Sequence, residues 1–200
     1  MHKLINLFLV TFLAFNFNSL AQHSVLLLNG REHPLRAYDL KGEYLIYSKP
    51  TDKSGRTHKM YLDRIYSVRD SILGERIVYA PDTTDSLELN KEEMRIFIDG
   101  EQYAMKHYKK PMNGITGAAI GAGAAFLSIY GLVIPFGYAA IIGSHNPKVP
   151  QGLPDAPPNI NHDLFIDGYQ YKAKKTKTKN AMIFGGIGFA ASFTVLTILK

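Results

Sequence analysis

The chain has no cysteine and no tryptophan among its 200 residues, and between positions 111 and 143 it has no charged residue of either sign. The absence of Cys excludes thiol nucleophiles, Cys-ligated zinc and dithiol redox chemistry. It also closes the acylated-cysteine route by which bacterial lipoproteins are held in membranes. The gap in charge runs for 33 residues, longer than the roughly 20 apolar residues that cross a bilayer. Sequence patterns that announce a reaction are missing too: there is no G-x-S-x-G, no P-loop and no Rossmann fingerprint. Seven histidines are present, but His33, His58, His107, His145 and His162 lie in unlike segments without ligand spacing such as H-E-x-x-H, so solvated or capping roles are expected. Asp99 and Glu101 stand two apart on an expected helix and point to different faces. No catalytic, metal or cofactor residue is therefore expected, and the chain reads as a non-enzyme.

What is present begins with an export pattern. Met1-His2-Lys3 is a short positive region, Leu4 to Phe15 is apolar, and Ser19-Leu20-Ala21 places small residues at a cleavage site. Residues 1–21 thus read as a secretory signal peptide. The net charge of +6 does not point to nucleic acid, because of where it sits. Residues 22–90 carry ten Lys/Arg and ten Asp/Glu, whereas residues 144–200 carry seven against three. The excess flanks apolar segments, as in membrane proteins.

Residues 22–83 read as a small β domain. Val25–Leu28 ends at Asn29-Gly30, a hairpin signal. Further runs follow at Leu35–Leu40, Glu43–Ser48, Lys59–Leu62, Ile65–Arg69 and Arg76–Tyr79, with a loop of turn formers from Lys49 to Arg56. Five or six short strands at this spacing suggest a small barrel. Asn90, with Glu93 three residues on, reads as a capping box opening an amphipathic helix over 90–110. A Gly-rich transmembrane segment is expected over 113–143, kinked at Pro135. Residues 144–163 form a Pro-rich linker, with five of the ten prolines by residue 160. A basic amphipathic helix over 164–179 and a second span over 180–199 complete the chain.

The second half contains a repeat. Phe97-Ile98-Asp99-Gly100-Glu101-Gln102-Tyr103 returns as Phe165-Ile166-Asp167-Gly168-Tyr169-Gln170-Tyr171, identical at six of seven positions. Each copy leads into a basic stretch and then a Gly-rich apolar segment, the plan of a duplicated helix-into-membrane unit. Two interfacial helices facing each other, with Gly100 and Gly168 allowing close backbone approach, are one reading. Generic interfacial aromatics and cations are the other. Gly114, Gly117 and Gly121 lie on one helix face in the manner of a glycine zipper, with Gly185, Gly186 and Gly188 as a mating surface. Lys172, Lys174, Lys175, Lys177 and Lys179 read as a membrane-surface run that sets topology and attracts anionic lipid.

The Leu20-Ala21-Gln22 signal end, the LLLNG opening strand, the FIDGEQYA…HY helix and the GYQYKAKKTKTKNAMIFGGIGFA tail together resemble envelope proteins of Bacteroidota-type bacteria. The resemblance implies a membrane location and an SH3- or Sm-like barrel, and it implies no activity. The combined expectation is an α+β protein of the bacterial inner membrane with its β domain in the periplasm and two transmembrane helices. Its expected partners are membrane lipid and another envelope protein or a second copy of itself. Two functions follow: scaffolding through the β domain, or an oligomeric assembly or pore built on the Gly-rich helices.

Overall fold

A computed structural model describes residues 23–52, 55–82, 84, 87–109 and 112–199. The expected signal peptide lies outside these residues, as do Lys53 and Ser54 of the Lys49–Arg56 loop. The chain is α+β and divides into two compact units, residues 1–91 and 92–200.

The first unit has seven strands: β1 His23–Leu27, β2 Glu32–Leu35, β3 Ala37–Lys41, β4 Tyr44–Ser48, β5 His58–Tyr61, β6 Ile65–Asp70 and β7 Gly74–Ile77. They form two antiparallel sheets, ordered β2-β1-β6-β7 and β3-β4-β5. Val25, Leu27, Leu35, Ile65 and Val68 from the first sheet and Leu45 from the second make one buried core. The barrel expected from strand spacing is not closed, since each sheet ends in its own edge strands. The run Leu35–Leu40, expected as one strand, is divided at Arg36. Leu35 ends β2 in one sheet, and Ala37 begins β3 in the other. The inward side changes phase at the bend, from Leu35 to Tyr38 and Leu40, so that one continuous strand could not bury all three.

The second unit is helical. Helix α1 (Lys91–His107) starts directly after Asn90, and α2 (Met112–Ala124), α3 (Val133–Ser144) and α4 (Asp163–Ile198) follow. His162 caps α4, its Nδ1 accepting from the Leu164 N–H at 3.2 Å. Two stretches, 112–144 and 163–198, are long and apolar enough to cross a membrane. The first is not one rod. A 3₁₀ segment over 125–132 contains Leu127 and Ser128 in non-helical conformation, Ser128 at φ 58°, and there the chain reverses.

The two arms return side by side. Thr116 Oγ1 and Tyr138 OH lie 2.5 Å apart across them. At the tip a Cβ on Gly131 would fall 1.8 Å from the Ala124 carbonyl oxygen. At the open end Asn113 and Ile142 line a common cavity. The kink expected at Pro135 is thus a hairpin turn centred on 127–128. Pro135 sits in the first turn of α3, where a missing N–H costs nothing.

Between Ser144, which ends α3, and Asp163, which begins α4, the Pro-rich linker has no α-helix, yet it is fixed. Val149, Leu153, Ala156 and Ile160 pack on Tyr103, Phe165, Tyr169 and Ala173. The Tyr103 hydroxyl donates to the Pro150 carbonyl at 3.1 Å. Asp155 accepts from Lys106 and pairs with His107 Nε2 at 2.9 Å. The Lys106 hydrogen bond, and then His107, hold the Asp155 carboxyl below the usual carboxylate range.

Candidate functional site

The two copies of the heptapeptide meet each other. Helix α1 crosses the first half of α4 at Gly100 and Gly168. A Cβ on Gly100 would lie 2.1 Å from the Phe165 carbonyl oxygen, and one on Gly168 would lie 2.0 Å from that of Phe97. Each glycine therefore receives the backbone of the other copy's first residue, a relation close to a local two-fold axis. The aromatics follow it: Phe97 meets Tyr171 at 6.1 Å between ring centroids, and Tyr103 meets Phe165 at 5.6 Å. Burial breaks the symmetry, since Tyr103 and Phe165 are buried whereas Tyr171 is half exposed. Asp99 pairs with Arg95 one turn back at 3.2 Å, and Asp167 is exposed. The two aspartates do not converge.

The one position at which the copies differ is the most unusual chemically. Glu101 is 1% exposed, and its counterpart Tyr169 is 2% exposed. Glu101 Oε1 lies 3.8 Å from Lys172 Nζ, while Oε2 is buried without a hydrogen-bond partner. Burial pushes this carboxyl above its ordinary value, and Lys172 and Lys175 pull it back. Sequence spacing assigned Glu101 no role; a carboxylate at a helix position three residues before buried Ala104 was the available signal.

The glycines divide in the same way. Along α2, a Cβ on Gly121 would lie 2.0 Å from the Gly185 carbonyl oxygen, and one on Gly117 would lie 2.8 Å from that of Ala181. Gly114 faces the Phe184 ring, and Gly185 faces Pro135 of α3. Gly188 is in close contact with the Ala118 carbonyl, but Gly186 has nothing within 4 Å. The contact order shows α2 running parallel to α4. In α3 the order reverses, with Gly143 against Thr178 and Pro135 against Gly185.

The five lysines do not form one stripe. Lys172 turns inward to Glu101, and Lys175 sits 5.5 Å over the Tyr171 ring. Lys174 and Lys179 flank a cavity of about 490 Å³ together with Tyr171, Met182 and Ile183. Lys177 is 6% exposed, and its ammonium donates to the His145 carbonyl at 2.5 Å. Helical periodicity alone could not separate these fates, because the linker that covers Lys177 comes from another part of the chain.

In the β unit, Asp70 closes the β6–β7 turn by accepting the N–H groups of Ile72 and Leu73 at 2.8 and 3.1 Å. These bonds hold its carboxyl below the usual range. They leave Ile72 and Leu73 each 85% exposed at the tip. No cluster of three or more His, Cys, Asp or Glu suited to a metal occurs among the described residues. Comparison with protein families, with curated proteins and with solved structures finds no match for this chain.

Proposed function

We propose that the chain is a non-enzymatic, membrane-anchored protein of the bacterial inner membrane whose β unit lies on the exported side and binds another envelope protein. The observation that carries this reading is the division of labour between the units. The helical unit exposes large apolar side chains such as Phe126, Tyr130, Ile141, Ile187 and Val195 on segments that have the length of a membrane anchor. The β unit holds Ile72 and Leu73 out on a rigid hydrogen-bonded turn, a form suited to docking rather than to chemistry.

In this reading helix α4 alone crosses. Its uncharged part from Asn180 to Ile198 is roughly 28 Å long at 1.5 Å per residue, close to the hydrocarbon thickness. Each arm of the 112–144 hairpin is roughly 20 Å or less by the same rule. The hairpin enters and returns to the side from which it came. Residues 144–179 then share the side of the β unit, whereas two transmembrane helices, as expected from the sequence, would put them on the opposite side. An oligomer or pore built through Gly117 and Gly121 is disfavoured, because both already face α4 of the same chain.

The absence of native Cys makes the test direct. Single cysteines replace Lys41, Gln151 and Leu199, and cells with a permeable outer membrane are treated with a membrane-impermeant thiol reagent. Labelling at 41 and 151 with protection at 199 is expected. Labelling at 41 and 199 with protection at 151 would restore two spans and sink the single-crossing reading. Protection at 41 would place the β unit in the cytoplasm and overturn its exported side.

A further inference from the structure

Where the hairpin opens, the chain builds a cavity of about 440 Å³ between the start of α2, the end of α3 and the middle of α4. Its polar lining consists of Tyr108, Asn113, His145, Asn146, Lys148 and Lys177, with Ile142 and Pro147 as apolar wall. Two ammonium groups, amide donors and an imidazole converge there, and none of the lining residues is a carboxylate. Lys177 is not a surface lysine reaching about in water. It is buried at 6% exposure and anchored on the His145 carbonyl, which fixes where its charge stands. Asn113 belongs to the first turn of α2, the end at which the helix dipole favours an anion. Lys148 comes from the linker and is exposed, free to close over an occupant.

The position of the cavity selects among anions. It lies at the level where charged sequence gives way to the apolar arms, and just beyond it Met112, Ile115 and Ile141 are exposed. A ligand with an anionic head and hydrocarbon tails matches both surfaces at once: head among the lysines, tails along the hairpin.

We propose that this cavity binds the phosphate group of an anionic membrane lipid, with Lys177 and Lys148 as its cations and Asn113 as a neutral donor. The proposal rests on the membrane reading above, and it adds a discrete site where that reading needs only a general attraction.

The test uses the full chain purified in a neutral detergent. Apparent affinity is read from thermal stabilisation during titration with phosphatidylglycerol, phosphatidylcholine or inorganic phosphate. Phosphatidylglycerol should stabilise the protein saturably and phosphatidylcholine should not. Lys148→Ala, on an exposed loop position, and Lys177→Met should each weaken the phosphatidylglycerol response about five- to tenfold. Lys174→Ala, at a similar level but outside the cavity, should change it less than twofold.

Equal loss at 148, 174 and 177 would reduce the effect to surface charge and overturn the site. Saturation by inorganic phosphate at the same affinity would make the ligand a soluble phosphate compound and overturn the lipid. If Lys177→Met does not fold, Lys148→Ala against Lys174→Ala still decides. Alkaline extraction of cell membranes separates this result from the larger reading. Wild-type protein that stays in the membrane yet shows no headgroup preference sinks only the site, whereas wild-type protein released by the wash sinks the anchor itself.

Discussion

From Phe97 and again from Phe165 the chain runs through the same heptapeptide, a basic stretch and a Gly-rich apolar segment, yet the two copies end as different objects. The second is a single helix of 36 residues. The first is two helices: α1 ends at His107, α2 begins at Met112, and the sequence between them includes Pro111. The position equivalent to Pro111 in the second copy is Lys179. A proline inside a helix removes one N–H and crowds the carbonyl four residues back, which is enough to stop it. The consequence reaches beyond the break. Helix α1 lies antiparallel across α4, with Phe97 at Tyr171 and Tyr103 at Phe165. After the interruption α2 runs parallel to α4. One repeat that stays straight and one that breaks can pack on each other twice, which two straight copies could not do in the same way.

Moving the break to the other copy is the strongest way to test this. Lys179→Pro should divide α4 where the first copy divides and cost about 3 kcal/mol or more, seen as a lower thermal midpoint and reduced helical circular dichroism in detergent. An unchanged midpoint would mean that the continuity of α4 is not what organises the unit.

The glycines sharpen the comparison next. In an open helix Gly→Ala stabilises by up to about 1 kcal/mol, and Gly123→Ala, with nothing within 4 Å, should follow that rule. Gly168→Ala should do the opposite. Its new methyl would meet the Phe97 carbonyl oxygen at 2.0 Å, and the helices must part at a cost of about 1–3 kcal/mol. Equal effects at 123 and 168 would remove the crossing from the account.

These two contacts also mark what could be read from the sequence. The repeat, its glycines and the helix that opens after Asn90 were legible, because identity at six of seven positions and a capping pattern are local signals. The α+β division was legible for the same reason, from the change of hydrophobic period near residue 90. The reversal at Leu127–Ser128 was not, since a run of apolar residues reads alike whether it continues or folds back. Its length was the one clue: 33 uncharged residues exceed one span by half. Lys177 and Glu101 were illegible in role because what buries them, the linker and the other copy, lies tens of residues away.

Glu101 is where the copies differ by sequence and not only by shape, and Lys172→Met tests it. The fold raises the proton affinity of this carboxyl above its unfolded value. The native state therefore holds the proton more tightly, and stability falls as pH rises from the ordinary carboxylate range through the raised value, then levels off. Removing the Lys172 ammonium raises the folded value further and extends that loss upward in pH. At neutral pH the variant should be less stable by about 1–3 kcal/mol, with the deficit shrinking in acid. Adding Glu101→Gln should recover most of it. A deficit independent of pH would show that Lys172 acts by packing alone.

The smallest effect is expected where the broken copy is tied to the arm that follows it. Thr116 Oγ1 and Tyr138 OH form a polar link across the hairpin at 2.5 Å. Hydrogen bonds between helices within a membrane average only about 0.6 kcal/mol, because the separated groups find other partners, and the proposed anchor would place this bond among them. Thr116 has such a partner already, its hydroxyl donating to the Met112 carbonyl at 2.8 Å. Tyr138→Phe should therefore cost about 0.6 kcal/mol, Thr116→Val a similar amount, and the double variant little more than either, since both remove one bond. A loss several times larger from Tyr138→Phe would mean that the hydroxyl, and not the close packing of Gly131 on Ala124 and of Gly121 on Gly185, keeps the arms together. The hairpin would then be a latch that one bond can open, and the single crossing proposed above would depend on it.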